Sequence, residues 1–235
     1  MTKVLIGIQA RSTSTRLPGK ALATLYNKPI LSWVINVCMD SAQFVTYKSR
    51  EQIQVDVAIL TPIGDEISRY YKNLNVVEGN EDDVLSRYVD ASNIYNSDYI
   101  VRITGDCPFL TSFMITNHIF KCLNTDLDYL SNVDPLVRTE LDGRDIEVMS
   151  KEALDWLDQI SQRPLDREHV TTKIREIKPS HLRRGHFLNR LDVSDIKLSV
   201  DTDKDLDNAE KRMTSFFKKK MLAEKDVGKQ NVFYN

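Results

Sequence analysis

The chain has 235 residues, of which 41% are hydrophobic and 28% charged, and 34 acidic against 32 basic side chains leave a formal charge of −2. That length suits one large domain, and so even a balance supplies no global field to draw the protein onto nucleic acid or membrane. An anionic ligand must therefore be captured by a local basic cluster. Three cysteines (Cys38, Cys107 and Cys122) without CxxC spacing argue against structural zinc and against a disulfide framework. The first apolar run soon meets Arg11, which is too short for a secretory signal, and no run approaches the ~20 residues of a membrane span. The expectation is a soluble, cytoplasmic protein.

In chain order, Val4–Ile8 reads as a buried strand and Pro29–Met39 as a helix with Ile30, Leu31, Val34 and Val37 on one side. Val55–Leu60 is a second strand and Asp65–Lys72 a helix. Asn75–Val77 is a short strand, and Asp82–Tyr95 a helix with Val84, Leu85, Tyr88 and Ala91 along one face. Tyr99–Ile103 is β-branched and extended, and Ser112–Cys122 helical. This alternation predicts an α/β fold, a mostly parallel sheet with helices on both faces. Ligands of such sheets bind beyond the carboxyl ends of the strands. From about residue 126 the pattern changes. Asp128–Asn132 and Asp145–Met149 read as strands, Lys151–Ile160 and Asp166–Ile177 as helices, Ile196–Val200 as a late strand, and Asp203–Lys220 as a helix ending in Lys218, Lys219 and Lys220. This half reads as a small lobe inserted into a mixed sheet. A polar tail follows from Lys225, relieved by Val232–Tyr234.

The most informative stretch is Gln9-Ala10-Arg11-Ser12-Thr13-Ser14-Thr15-Arg16-Leu17-Pro18-Gly19-Lys20, directly after the first strand. It gathers the cations Arg11, Arg16 and Lys20, a run of hydroxyls and a Pro-Gly turn. A polyphosphate needs such convergent donors, because charge-assisted hydrogen bonds are strong and an arginine grips two oxygens at once. A solvated basic loop is the plain alternative, and the position after strand one weighs against it. Neither GxxxxGK[ST] nor GxGxxG occurs, so P-loop and dinucleotide-binding readings lose their main support.

Two aspartates complete the pattern. Asp106 follows the strand Tyr99–Ile103, and Asp201 follows Ile196–Val200, so each is placed at the ligand edge of the sheet. Two carboxylates on separate strand ends suit a hard cation such as Mg²⁺, which takes one or two carboxylates plus phosphate oxygens and waters. Capping of turns or helices is the competing role for each. Asp203 reads as the cap of the last helix. Acidic Glu81, Asp82 and Asp83 suit the positive end of the helix that they open. Arg87 and Arg102 are weaker candidates for the site and could equally be surface or ion-pair arginines, and His118 reads as a packing or surface histidine.

Ala10-Arg11-x-x-Ser14-Thr15-Arg16-Leu17-Pro18-Gly19-Lys20 resembles the nucleotide-binding loop of the cytidylyltransferase family, which includes the CMP-Kdo and CMP-sialic acid synthetases, and within it the SpsF-like branch. Glu78 to Tyr88, Val101 to Pro108, Arg167 to Thr171 and Leu198 to Thr202 resemble the same branch in the same order. Thr13 stands where that branch usually has glycine, and Asp203 where a proline is common. The resemblance implies a Rossmann-like (GT-A type) nucleotidyltransferase fold in one domain over residues 1–224. Its nucleotide-binding part is about 1–125, its acceptor-binding part about 126–195, and its closing strand and helix 196–224, with 225–235 as tail. It implies transfer of CMP from CTP to a small acidic acceptor with release of pyrophosphate, in surface polysaccharide or glycoconjugate precursor synthesis, by a homodimer.

On that resemblance Arg11, Arg16, Lys20 and Asp106 are catalytic. The nucleotide is bound by Gln9, Ala10, Arg11, Ser14, Thr15, Arg16, Lys20, Gly79, Glu81, Asp82, Thr104, Gly105 and Asp106, the Gly79–Asp83 turn lying near the base. Asp106 and Asp201 hold Mg²⁺, with Mn²⁺ as a substitute. In the second half, Asp142-Gly143-Arg144-Asp145-x-Glu147 and the basic-leaning Arg167, His169, Arg183, Arg184, His186 and Arg190 favour a carboxylate or phosphate on the acceptor. Asp145, Glu147, Arg167 and His169 are the acceptor candidates, while Arg183 and Arg184 fit an exposed basic face equally well. Two rival readings are a GT-A glycosyltransferase using a nucleotide sugar and a non-catalytic nucleotide-binding protein. The concentration of cations in the first loop suits a triphosphate better than a nucleotide sugar, and both aspartates and Lys20 are present.

Overall fold

The computed structural model describes residues 1–230, with side chains through Lys218; the side chains of Lys219, Lys220 and the tail, and the apolar stretch Val232–Tyr234, lie outside what is described. The N-terminal half forms β1 (Thr2–Gln9), the small hairpin β2 (Thr24–Leu25) and β3 (Lys28–Pro29), α1 (Ile30–Lys48), β4 (Ile53–Pro62), α2 (Glu66–Tyr70), β5 (Val76–Gly79), α3 (Val84–Tyr95), β6 (Tyr99–Thr104) and α4 (Ser112–Asn124). The second half adds β7 (Tyr129–Ser131), β8 (Glu147–Ser150), α5 (Lys151–Ile160), α6 (Pro164–His169), α7 (Thr172–Ile177), β9 (Arg184–His186) and α8 (Asp203–Gln230).

One seven-stranded sheet in the order β5-β4-β1-β6-β8-β7-β9 runs through the molecule. β5, β4, β1 and β6 are mutually parallel, β8 is antiparallel to both its neighbours, and β9 is parallel to β7. The expected mostly parallel, mixed α/β sheet is thus present. β1 is central and buried on both faces, which explains its unbroken apolar run. Val4, Ile6 and Ile8 join α1 and α4 in one core, and Leu5 joins Leu60, Tyr88 and the α3 and α5 side in the other. The strand order turns back between β1 and β6, so their carboxyl ends open the crevice where α/β sheets bind ligands.

Local chemistry sets the element ends. Asp65 caps α2 through Ile67 N, Asp83 caps α3 through Ser86 N, Thr111 caps α4 and Ser150 caps α5. The helix over 29–39 extends to Lys48, because Ser41, Ala42 and Val45 prolong its buried stripe. The helix over 166–177 is broken: Val170 has φ 57°, ψ −62°, and Thr171 N bonds to His169 O at 2.6 Å. That is a strained γ-turn, rare at any residue and more so at a β-branched one. The hairpin β2–β3 and strand β9 escape a pattern reading because two or three residues carry no period.

Residues 196–200 do not form a strand of the sheet. Their alternation is real, with Leu198 and Val200 buried, but the partner is a turn. Asp142 N bonds to Ile196 O and Leu198 N to Asp142 O, making an isolated bridge between Asp142 and Lys197. Gly143 allows this approach: its φ is 93°, and a Cβ there would lie 2.2 Å from Ser199 N. Asp203 does not cap α8 either. Thr202 and Asp205 do so reciprocally, Asp205 Oδ2 accepting from Thr202 N and Thr202 Oγ1 accepting from Asp205 N. α8 runs past the expected end to Gln230.

A third core of Leu17, Leu25, Ile30, Val200, Ala209 and Met213 clamps α8 onto the hairpin β2–β3. It joins the loop after β1 to the segment before Asp201. Gly143→Ala combines a left-handed φ with a backbone clash, so a loss of about 2 kcal/mol or more is expected; urea denaturation checks it, and an unchanged midpoint would contradict the close approach.

Candidate active site

A cleft of about 310 Å³ lies at the carboxyl edge of β1 and β6. Of the residues expected around a nucleotide, Gln9, Ala10, Arg11, Ser14, Thr15, Arg16, Lys20, Thr104, Gly105 and Asp106 all line it, as do Asp201 and His169. Gly79, Glu81 and Asp82 are not among its lining residues, nor are Asp145, Glu147 and Arg167.

The loop over the cleft is held by its own backbone and by one carboxylate. Gly19 N bonds to Ser12 O at 2.9 Å, closing the loop, while Leu17 anchors it in the third core. Asp65 Oδ2 accepts from both Ser12 N (2.9 Å) and Ser12 Oγ (3.0 Å), and its other oxygen caps α2. No motif marked Asp65 beyond its place at a helix start. Thr13 donates to Glu81, tying the loop to the β5–α3 turn. The departure from glycine thus adds a tether.

At the centre, the Lys20 ammonium lies 2.6 Å from Asp106 Oδ2 and 3.1 Å from Asp201 Oδ1. Arg16 Nη2 is 2.9 Å from that same Asp201 oxygen, and Lys197 is 3.1 Å from the other. The two carboxylates are fixed relative to each other by backbone, since Val200 N bonds to Asp106 O at 3.1 Å. Burial works against the Lys20 charge, but Asp106 and Asp201 outweigh it and hold its pKa above the ordinary lysine value. Burial likewise pushes Asp201 up, and Lys197 and Lys20 overcome it and hold its carboxyl below the usual range. Among the described residues no three His, Cys, Asp or Glu side chains gather as a cage for a metal. Two hard carboxylates that one ammonium already bridges are nevertheless close enough to share one cation, the donor set that Mg²⁺ or Mn²⁺ takes alongside phosphate.

At the mouth of the cleft Glu168 faces Arg11 at 3.7 Å, and His169 follows it just before the γ-turn at Val170. Glu168 was legible only as the neighbour of His169 in a matched segment. On the floor, Arg102 donates to Gln9 Oε1 (3.0 Å) and pairs with Glu147, which also binds Arg175 (3.0 Å) and accepts from Tyr129. Glu147 is 1% exposed and works beneath the site. Burial alone would raise its pKa, but Arg102 and Arg175 hold it below the ordinary glutamate range. Asp145 pairs with Arg138 at 2.6 Å, and burial holds its pKa above the usual carboxylate value. Arg167 is held by Asp83 and Asp158 (2.9 Å), tying α6 to the start of α3. Arg183 pairs with Asp126. His118 is buried against Phe187, ring centroids 4.1 Å apart, and burial pushes its pKa down to about 4.

The family model for cytidylyltransferases matches residues 5–235. The chain belongs to the cytidylyltransferase family, a family of nucleotidyltransferases. Among curated relatives, it is 31% identical to an uncharacterized protein of Methanocaldococcus jannaschii (86% of this chain, 80% of the relative). It is 29% identical to the spore coat polysaccharide biosynthesis protein SpsF of Bacillus subtilis (88% and 85%). Among solved structures, a cytidylyltransferase from Leptospira borgpetersenii is 26% identical and superposes with a TM-score of 0.78 over the full length of both chains. A CMP:2-keto-3-deoxy-manno-octonic acid synthetase complexed with CTP shares the fold, at 15% identity and a TM-score of 0.66 over 91% of this chain and 99% of the other. Among the described residues no helix is long and apolar enough to cross a membrane.

Removing the Glu147 carboxylate strands Arg102 and Arg175 in the interior. Glu147→Ala is expected to lose about 3–5 kcal/mol of stability in urea denaturation. Since the folded pKa lies below the unfolded one, Glu147 contributes stability above the ordinary value of about 4.3, and that contribution is lost as pH falls through the lowered folded value. Glu147→Gln should therefore flatten the wild-type loss of stability on acidification; an identical pH profile would remove Glu147 from that role.

Proposed function

We propose that this member of the family transfers CMP from CTP to a small acidic acceptor, a sugar acid, phosphonate or phosphorylated metabolite, and releases pyrophosphate. One observation carries the reading: Lys20 bridges Asp106 and Asp201 directly beneath a loop that presents Arg11 and Arg16. Three cations and several hydroxyls over a carboxylate pair suit a triphosphate and a divalent metal together, and they suit the diphosphate of a nucleotide sugar less well. Asp106 and Asp201 would hold Mg²⁺, or Mn²⁺ in its place, which would supply neutralisation of phosphate charge there.

The chain's own groups do the rest. Arg11, Arg16 and Lys20 bind and orient the triphosphate for in-line attack by an acceptor oxygen, so that catalysis comes from positioning and from preorganised charge, with no covalent enzyme intermediate. Ser14 and Thr15 add neutral donors along the loop, and Thr104 and Gly105 form the wall between β1 and Asp106. His169, at the mouth with Glu168, faces the acceptor side. Asp145, Glu147 and Arg167 support the acceptor half from outside the cleft. A role in polysaccharide precursor synthesis is supported by the similarity to SpsF, and a cytoplasmic homodimer by the family resemblance.

Pyrophosphate release should appear with CTP, divalent metal and one member of a panel of keto-sugar acids, phosphonates and phosphorylated acids. Asp106→Asn and Asp201→Asn should each lower turnover by about a hundredfold or more while the proteins melt near the wild-type temperature. Undiminished metal-dependent activity in either variant would sink the metal assignment, and wild-type protein that does not bind CTP would sink the reading as a whole.

A further inference from the structure

The two oxygens of Asp201 are treated differently. Oδ1 faces the cleft, 3.1 Å from Lys20 Nζ and 2.9 Å from Arg16 Nη2. Oδ2 is 3.1 Å from Lys197 Nζ, which comes from outside the cleft and is not among its lining residues. Neutralising the carboxylate pair would ask only for a nearby positive charge. The way Lys197 is held asks for more.

A partly exposed lysine ordinarily gains little from an ion pair, because holding its long stem in one geometry costs entropy. Here both ends of the side chain are fixed. Its backbone lies in the bridge to Asp142, which bonds to Ile196 O and Leu198 N on either side of it. Its ammonium is also 2.7 Å from Asp205 Oδ2. That same Asp205 oxygen accepts from Asp201 N (3.2 Å), Thr202 N (3.0 Å) and Thr202 Oγ1 (2.9 Å). One atom at the start of α8 thus anchors both the main chain of Asp201 and the lysine that grips its carboxylate. With Oδ2 held outward in this ring, rotation of the carboxylate is opposed and Oδ1 is the oxygen turned to the cleft.

Divalent cations differ in what they ask of a carboxylate. Mg²⁺ demands a near-octahedral set, which the narrow bite of a carboxylate used through both oxygens does not fit, whereas Ca²⁺ takes more ligands and accepts carboxylates through one oxygen or two. A carboxylate with one oxygen already engaged suits the first demand and penalises the second. Outer partners of this kind commonly tune a metal site as strongly as its ligands do. We infer that Lys197 is a positioning residue that reserves one oxygen of Asp201 and so favours Mg²⁺ or Mn²⁺ over Ca²⁺ at the carboxylate pair. This rests on the nucleotidyl-transfer reading, in which Asp106 and Asp201 hold the metal.

The test follows protein-bound Mn²⁺ by electron paramagnetic resonance in the presence of CTP and without acceptor, so that no transfer occurs. Mg²⁺ and Ca²⁺ are titrated against it in wild type, Lys197→Met and Lys197→Arg, with melting curves for each. Binding of the ions to free CTP is the same in all three samples and cancels from the comparison. Removing a positive charge acts alike on two divalent ions, so the ratio of their affinities, rather than either one, reports the orientation of Asp201. Wild type should release Mn²⁺ to Mg²⁺ more readily than to Ca²⁺. In Lys197→Met that ratio should shift about tenfold towards Ca²⁺, with melting near the wild-type temperature because exposed ion pairs add little stability. Lys197→Arg should restore the ratio, and Lys197→Gln serves if Lys197→Met does not fold. A ratio unchanged in the folded variants, even with both affinities altered, would overturn the inference and leave Lys197 as a neutralising charge alone. Wild type that releases Mn²⁺ equally to both ions would overturn it as well. Wild type that binds CTP without retaining Mn²⁺ would remove the metal assignment, and wild type that does not bind CTP would remove the nucleotidyl-transfer reading itself.

Discussion

Everything at this site depends on holding two carboxylates side by side at the edge of a sheet. Two like unit charges roughly 5 Å apart repel by about 3 kcal/mol at an effective dielectric near 20, so such a pair forms only where the frame and the neighbouring charges compel it. Here the backbone bond from Val200 to Asp106 sets the spacing, and Lys20, Arg16 and Lys197 supply the opposing charge. Lys20 occupies the ground between the carboxylates, which leaves the site ordered and neutralised on its own. Its raised pKa keeps it charged throughout the physiological range.

Around that pair the molecule is organised in concentric supports. The third core joins the loop, through Leu17, to the segment before Asp201, through Val200, so that both sides of the cleft pack against α8 and the small hairpin. Below, the chain from Gln9 through Arg102 and Glu147 to Arg175 carries charge from the cleft floor into the second half. Each buried charge in it has a partner, the condition under which such a network stiffens a core. Arg87 stands apart from this scheme because its Nε and Nη1 are buried without a partner.

Much of this was legible in the sequence, and the reasons differ by residue. The long apolar run of β1 and the cations after it mark a buried strand and a ligand loop, since both signals are local. Asp106 and Asp201 were legible as strand-end carboxylates, but for Asp201 the strand was an illusion of alternation. Leu198 and Val200 face a core while their backbone leans on a turn, and alternation reports burial without naming the partner. Asp145, Glu147 and Arg167 carry charge in a region expected to hold the acceptor, yet Asp145 is taken up by Arg138 nearby and Glu147 and Arg167 by partners distant in sequence, which no spacing rule reveals. Asp65 and Glu168 are the converse, ordinary in their local context and made important by tertiary contact. The break at Val170 defies propensity outright, since the stretch reads as one helix and a γ-turn divides it.

The single reversed strand has a consequence for how the site comes into being. Because β8 runs against its neighbours, its beginning lies at the edge where the parallel strands end, which brings the turn at Asp142 and Gly143 beside Asp106. That turn is the ledge on which residues 196–200 rest, and only through it does Asp201 arrive. A chain emerging from the ribosome in order can lay down β1, β4, β5 and β6 long before its second carboxylate exists, or the α8 residues against which Leu17 anchors the cationic loop. The assembled cleft is therefore the last thing the polypeptide acquires, since an incomplete copy lacks both the second carboxylate and the core that anchors the loop.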